Sequence, residues 1–215
     1  MDKSLSTYYR RRASEYDEVY EKPERQADIA TITRVVREFA NARQVLEVAA
    51  GTGFWTLPAS ETATSILATD LAEEPLSVAR ERSYSSPVKF AICDAFSLDK
   101  VTGTFDAGLA CFWLSHLSRP EMKRFAVHLA ARLEPGSHVL FVDNRYVEES
   151  NWPITRTDAE GNTYQRRHLQ NGDTFEVLKN FPNADELRAL GQAIGDAVEV
   201  TELTYYWALT FRTFE

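Results

Sequence analysis

The stretch QVLEVAAGTGFWT, residues 44–56, constrains the fold more than any other part of the chain. A short apolar run leads directly into Gly51 and Gly53, which is the pattern of a buried strand followed by a tight loop. Glycine allows the backbone to turn sharply there and to approach a ligand closely. We therefore predict a strand that ends in a ligand-binding loop.

Alternation of strand and helix patterns follows this stretch. TSILATD, PVKFAICDA, FDAGLACFW and SHVLFVDN each read as a short buried strand. PLSVARERS and RPEMKRFAVHLAARLEPG have helical periodicity, as do residues 4–20 and the segment after Pro23. Strands that alternate with helices predict an α/β fold with a doubly wound, mostly parallel sheet.

The alternation stops after Asn144. Residues 145–160 are polar and rich in turn formers, and YQRRHLQNGDTFEVLK, residues 164–179, reads as a hairpin around Asn171-Gly172. NADELRALGQAIG is helical, and VEVTELTYYWALTFR closes the chain with β-type composition. Because no helix separates its two parts, we predict an antiparallel addition at a sheet edge.

Composition narrows the class of protein. A net charge of -8 argues against nucleic acid and against an anionic membrane surface as partners. No run resembles a signal peptide or approaches the roughly 20 apolar residues of a membrane span. Cys93 and Cys111 lie in apolar runs, which suggests a reducing compartment. We therefore expect a cytoplasmic protein of one domain, residues 1–215, and predict no metal site.

Two acids indicate the ligand at the strand ends. Ligands of open parallel sheets bind beyond the carboxyl ends of the strands. Asp70 ends the second strand, where a carboxylate can accept both hydroxyls of a ribose, and Asp94 ends the third, where it can accept from an adenine amino group. The dinucleotide fingerprint needs a third glycine where this chain has Thr56. The loop therefore favours a nucleoside cofactor that carries no phosphate.

These residues resemble the class I S-adenosylmethionine (SAM)-dependent methyltransferases. Glu47, Gly51 and Gly53 match the first motif of that family, whereas Ala49 stands where the family often has glycine. The resemblance implies a Rossmann-like sheet of seven strands and SAM as the cofactor. It implies cofactor contacts from Tyr9, Arg12, Tyr16, Glu47, Ala49, Gly51, Gly53, Trp55, Asp70, Leu71, Asp94, Ala95 and Cys111.

A narrower resemblance covers nearly the whole chain. YYRRRASEYD, FWLSHLSRPE, LFVDN and RRHLQNGDTFEVLKNF are together similar to phosphonate O-methyltransferases. That similarity implies an N-terminal helical cap over the cofactor, residues 1–22, and a substrate lid with the hairpin, residues 145–180. It also implies that His116, Arg167 and Lys179 bind the acceptor, and we place Trp113 beside them.

The register of the hairpin decides which cation faces the acceptor. A two-residue loop places Arg166, His168 and Lys179 on one face, whereas a three-residue loop with a left-handed Gly172 places Arg167 with Lys179. A slip of one residue reverses the face of a whole strand. The residues alone leave both registers open, and the resemblance favours the second.

We predict methyl transfer to an oxygen of a small anionic metabolite, phosphonate-like or carboxylate. The cations matter because an arginine fork matches phosphonate or carboxylate oxygens. The alternatives are an O- or N-methyltransferase of a non-anionic metabolite, a dinucleotide-dependent oxidoreductase, or a nucleotide-binding module without catalysis. A solvated hairpin with no ligand is the alternative for the cations. We expect a monomer or a homodimer.

Overall fold

The structure is a computed structural model that describes residue 17 and residues 19–168 and 172–215. Tyr9, Arg12 and Tyr16, the predicted cofactor contacts of the N-terminal segment, lie outside these residues. Within the described part of the chain, no helix is long and apolar enough to cross a membrane.

The described residues contain ten strands, which form two sheets. They are β1 (Gln44–Val48), β2 (Ser65–Asp70), β3 (Val88–Ile92), β4 (Ala107–Cys111), β5 (His138–Asn144), β6 (Ile154–Thr157), β7 (Thr163–His168), β8 (Thr174–Leu178), β9 (Gly195–Glu202) and β10 (Tyr206–Thr213). The large sheet has seven strands in the order β3-β2-β1-β4-β5-β10-β9, and the small sheet has the order β6-β7-β8. The pairs among β1–β5 are parallel, while β10 is antiparallel to both of its neighbours. This confirms the predicted seven-stranded, mostly parallel sheet.

In the part of the chain that the structure describes, five α-helices cover the two faces of this sheet: α1 (Gln26–Ala40), α2 (Thr56–Ser60), α3 (Glu73–Arg80), α4 (Arg119–Ala130) and α5 (Ala184–Gln192). Successive strand residues point to opposite faces. Val45 accordingly packs with α1 and α2 in one core cluster, while Leu46 packs with α4 and α5 in the other. Two separate cores, one on each face, define the doubly wound arrangement.

The C-terminal strands form the predicted antiparallel addition at the sheet edge. β9 is the edge strand, and β10 lies between β5 and β9. The reason is burial: Tyr206, Trp207, Leu209 and Phe211 of β10 are each at most 2% exposed. A strand with apolar side chains on both faces needs neighbours on both sides, whereas most side chains of β9 are partly or fully exposed.

The hairpin has the three-residue register. Arg166 pairs with Glu176 and Arg167 with Phe175, and Gly172 has a left-handed φ of 87°. A third strand, β6, extends this small sheet from within the polar, turn-rich segment 145–160. Of the two open registers, the one that turns Arg167 inward is therefore confirmed.

Candidate active site

The loop after β1 combines three left-handed residues, Ala49, Gly51 and Gly53, with φ values of 56°, 58° and 75°. A Cβ atom added to Gly53 would lie 2.4 Å from the Tyr84 hydroxyl and 3.0 Å from the Ala79 Cβ of α3. Glycine is therefore required at 53 by close packing as well as by the turn. Ala49 carries a Cβ in a conformation that favours glycine.

Three carboxylates lie at the ends of β1, β2 and β3. Glu47 is buried, accepts from Thr56 Oγ1 at 2.6 Å, and has its pKa raised by burial to about 8. Asp70 accepts from the Gly51 and Ala72 amides at 2.9 and 3.0 Å, and burial raises its pKa. Asp94 accepts from the Phe96 amide at 2.9 Å. Hydrogen bonds from residues that follow the strands thus hold these acids in place.

This donor set fits SAM. The Asp70 carboxylate faces the Gly51 amide, so the tight loop and the acid form one wall at the carboxyl ends of β1 and β2. Each oxygen of a carboxylate accepts more than one hydrogen bond, so Asp70 retains capacity for ribose hydroxyls. A pyrophosphate placed at this wall would meet the Asp70 carboxylate, whereas an uncharged ribose and a sulfonium cation would not be repelled.

The remaining cofactor candidates surround this wall. Leu71 and Ala95 follow the acids directly in the chain, and Cys111 is the buried last residue of β4, where burial raises its thiol pKa. Trp55 is buried and stacks on Phe112 with ring centroids 5.6 Å apart. The described candidates thus come together at one end of the sheet, around the point where the strand order reverses.

A cavity of about 490 Å³ lies beside them, at the carboxyl ends of β4 and β5. Its walls include His116 from the turn after β4, Asn144 from the end of β5, and Arg167 and Lys179 from the hairpin. The structure therefore brings together the three predicted acceptor residues, which are separated by up to 63 positions in the chain.

Lys179 is the most constrained cation of the cavity. Its Nζ donates to Ser115 Oγ at 2.5 Å and lies 3.2 Å from Asp143 Oδ1. Burial lowers the pKa of this lysine to about 8, while Asp143 opposes that shift. Below that pH the side chain is an ammonium, so the cavity contains a fixed positive charge at neutral pH.

His116 is neutral with a defined tautomer. Its Nδ1 lies 3.0 Å from the Leu178 carbonyl oxygen, which can only accept, so Nδ1 carries the proton. Its Nε2 lies 3.5 Å from Lys179 Nζ. Burial, and then the neighbouring Lys179 and Arg167, hold the pKa of His116 well below its usual value. The ring therefore presents an acceptor nitrogen on the side of the cations.

Arg167 points inward, whereas Arg166 is exposed. One guanidinium nitrogen of Arg167 donates to Gln165 Oε1 at 2.9 Å, and Gln165 Nε2 donates to the Trp152 carbonyl at 2.6 Å. The amide of Gln165 thereby orients the arginine side chain. The exposed acid of the hairpin, Glu176, is paired with Arg156.

The placement of Trp113 in the acceptor pocket is not supported. Trp113 packs on Phe125 in the core beneath the sheet and does not line this cavity, whereas Phe112 does. Phe112 has a φ of 59°, and the two residues join core clusters on opposite faces. The left-handed turn at Phe112 therefore exchanges the faces that regular strand alternation would give these two residues.

Several cavity and support residues were not predicted. Lys22 and Arg25 reach the cavity from the segment before α1, and both bind Ser150. No spacing in the sequence connects these segments. Two of these residues could have been found from the sequence. Gln165 stands two residues before Arg167 on the same strand, and Asp143 is next to the carboxyl end of β5.

Comparisons with known proteins agree with this geometry. Residues 45–136 match a family model described as a methyltransferase domain. A structure of DhpI with SAH is 30% identical and covers 98% of this chain and 96% of that chain, with a TM-score of 0.78. A DhpI-SAM-HEP complex is 28% identical over 96% of this chain and 95% of that chain, with the same TM-score.

The fold also recurs in more distant proteins. The PH0226 protein of Pyrococcus horikoshii is 20% identical and covers 93% of this chain and 98% of that chain, with a TM-score of 0.72. No curated protein matches the chain. The chain belongs to the class I SAM-dependent methyltransferases, close to the dehydrophos-pathway methyltransferase DhpI. SAM is its cofactor, and the oxidoreductase alternative is wrong.

Proposed function

We propose that the protein transfers the methyl group of SAM to an oxygen of a small anionic metabolite, a phosphonate or a carboxylate. The observation that carries this proposal is the pair of buried cations, Arg167 and Lys179, that face one cavity at the carboxyl ends of β4 and β5. Arginine and lysine donate charge-assisted hydrogen bonds to phosphonate or carboxylate oxygens, so an anionic ligand is the partner that this pair favours. The likeness to DhpI supports the phosphonate choice.

The side chains of the cavity would act mainly by positioning. SAM supplies an electrophilic methyl group when it is bound. A phosphonate or carboxylate oxygen is already charged near neutral pH, so no strong base is needed to activate it. Arg167 and Lys179 would hold the oxygens that do not react, and His116 would accept a hydrogen bond from the acceptor or from Lys179. Orientation of this kind can supply a large part of a rate enhancement.

The proposal assigns one catalytic domain to residues 1–215. Residues 1–22 would cap the cofactor, with Tyr9, Arg12 and Tyr16 as contacts, and residues 145–180 would form the acceptor lid. The lid assignment is supported by the contacts of Lys179 with Ser115 and of the Leu178 carbonyl with His116, which tie the hairpin to the segment after β4. The thiols of Cys93 and Cys111 accord with a cytoplasmic enzyme, monomeric or homodimeric.

A screen with labelled SAM tests the proposal. Matched small phosphonates, phosphates, carboxylates and uncharged alcohols and amines would be assayed for methyl incorporation, and the product linkage determined by NMR. We expect phosphonates or carboxylates to be methylated on oxygen. Methylation confined to uncharged alcohols, or to nitrogen, would contradict the anionic acceptor and support the alternative O- or N-methyltransferase of a non-anionic metabolite.

A further inference from the structure

A buried carboxylate forms an ion pair with the lysine of the acceptor cavity. Asp143, next to the end of β5, is fully buried and is not part of the cavity wall. Its Oδ1 lies 3.2 Å from Lys179 Nζ and accepts from Ser115 Oγ at 2.7 Å, and its Oδ2 accepts from the Ser115 amide at 2.9 Å. Three separate segments of the chain therefore meet at this one side chain.

The direction of each hydrogen bond is fixed by chemistry. An ammonium can only donate, so Ser115 Oγ accepts from Lys179 and gives its single proton to Asp143. The amide and side chain of Asn144 also donate to Oδ1, at 2.7 and 3.0 Å. All of these partners donate to Asp143, which is the arrangement that an ionised carboxylate requires.

The same contacts limit what Lys179 can offer a ligand. Of its three N–H groups, one points to Ser115 and one to Asp143. The third lies toward His116 Nε2, 3.5 Å away, and the cavity. The lysine is therefore a tethered donor with one defined direction, unlike the mobile point charge of an exposed lysine.

We propose that Asp143 and Ser115 are positioning residues for the acceptor: together they fix the Lys179 ammonium beside His116 and keep it protonated among the other cations of the cavity. The proposal rests on the proposed function in that Lys179 must contact the acceptor. Neither Asp143 nor Ser115 needs to touch the acceptor or the cofactor for this role.

The surrounding charges explain why support is needed. Lys179 faces Arg167 of β7, Arg25 of the segment before α1, and His116 after β4, in addition to Asp143 of β5. Burial and the two arginines lower the pKa of Lys179, and Asp143 is the charged group that raises it. Without the carboxylate, the side chain would become a neutral amine at lower pH and would lose its attraction for an anion.

Direct titration of Lys179 tests the network without any acceptor. The lysine would be followed by NMR in isotope-labelled protein, in wild type, Asp143→Asn, Ser115→Ala and Ser137→Ala. Ser137 is the matched control, because it is also a buried serine but lies before β5, at the opposite end of the sheet. We expect the midpoint to fall by roughly 1–3 units in Asp143→Asn, to fall less in Ser115→Ala, and to stay unchanged in Ser137→Ala.

An unchanged midpoint in folded Asp143→Asn would overturn the proposal. If that variant does not fold, Ser115→Ala carries the test, because it removes one hydroxyl and leaves the amide contact to Asp143 in place. An unchanged midpoint in folded Ser115→Ala then overturns the proposal in the same way.

The acceptor assay separates this proposal from the proposed function. For an active acceptor, kcat/KM should fall above about pH 8 in wild type, and this limb should move to lower pH in Asp143→Asn while SAM affinity is unchanged. A purely structural role predicts equal loss at every pH and a lower Tm, and overturns the proposal. If Asp143→Asn moves the titration midpoint of Lys179 but not the pH at which kcat/KM falls, Asp143 does control the protonation of Lys179. In that case the role of Lys179 in the proposed function is wrong.

Discussion

The two halves of the active site are built from acidic and from basic residues, respectively. The cofactor half uses residues that are close together in the chain, whereas the acceptor half combines residues that are far apart. On the cofactor side, Glu47, Asp70 and Asp94 lie at or just beyond the carboxyl ends of three neighbouring strands, within 48 consecutive residues. On the acceptor side, Arg167 and Lys179 come from a separate small sheet and meet His116 from the turn after β4. The acidic half is a product of local strand-loop geometry, whereas the basic half exists only after distant segments pack.

The two halves also differ in the interactions that hold their acidic and basic groups in place. The acids are held by amides and hydroxyls that lie within 19 residues in the chain, such as Gly51 for Asp70 and Thr56 for Glu47. The lysine depends on Ser115 and Asp143, which are 64 and 36 residues away. We therefore expect changes on the cofactor side to alter SAM binding alone, and changes on the acceptor side to alter acceptor binding alone.

The largest expected effect is that of Asp70→Ala on SAM affinity. Two charge-assisted hydrogen bonds to the ribose are lost, each worth ~1.5–3 kcal/mol. Calorimetry should show a large rise in the SAM dissociation constant with little change in the acceptor KM. Asp94→Ala should weaken SAM less, because one contact is lost. Unchanged SAM affinity in Asp70→Ala would remove this carboxylate from the site.

The next largest effect should separate two neighbouring arginines. Arg167→Ala and Lys179→Ala should each raise the acceptor KM by an amount equivalent to ~2–5 kcal/mol, because each removes a charge-assisted contact in a buried site. SAM affinity should move little. Arg166→Ala is the matched control: Arg166 is exposed on the other face of β7 and should be nearly silent. A sensitive Arg166 with a silent Arg167 would reverse the assignment of faces.

A smaller effect concerns stability on the cofactor side. Glu47 keeps its proton in the folded protein up to about pH 8, whereas the unfolded chain releases it near 4.5. The stability linked to this proton is therefore lost as pH rises from about 4.5 to 8, at about 1.4 kcal/mol per unit of pKa difference. In cofactor-free protein, Glu47→Gln should flatten the fall in Tm over this range and be more stable at pH 8.

The expected result depends on the protonation of the buried Glu47 side chain, and one specific outcome would contradict it. Glutamine keeps an oxygen for the Thr56 hydroxyl but never ionises, so the contact survives and the titration disappears. If the Tm of Glu47→Gln follows the wild type across the whole pH range, Glu47 is not protonated in the folded state.

The smallest effect is expected at Ala49. Its φ of 56° places an alanine in the left-handed region, which costs ~1 kcal/mol or more for a residue with a Cβ. Ala49→Gly relieves that strain but gives the unfolded chain more freedom, worth ~0.4–1 kcal/mol. The two terms nearly cancel, so the Tm and SAM affinity should change little. A collapse of SAM binding would mean that the Ala49 methyl itself contacts the cofactor.

Prediction from sequence succeeded where periodicity and spacing were sufficient. The strands that end at Asp70 and Asp94 and the glycine loop were predicted because hydrophobic runs and glycines act within a few residues. It failed at Trp113, because a single left-handed residue, Phe112, reverses which face the following side chain takes. The sequence analysis also did not give the order of β9 and β10, because strand order depends on which strand has two apolar faces to bury.

The sequence by itself determined the class of fold, the cofactor loop and the carboxylates beside it, because these follow from local conformational preference and alternation. Only the tertiary structure decided that Arg167 rather than Arg166 faces the cavity, and that Lys179 binds Ser115 and Asp143. The physical reason is that strand register and contacts between distant segments are set by packing the whole chain at once. No short stretch of residues contains that information.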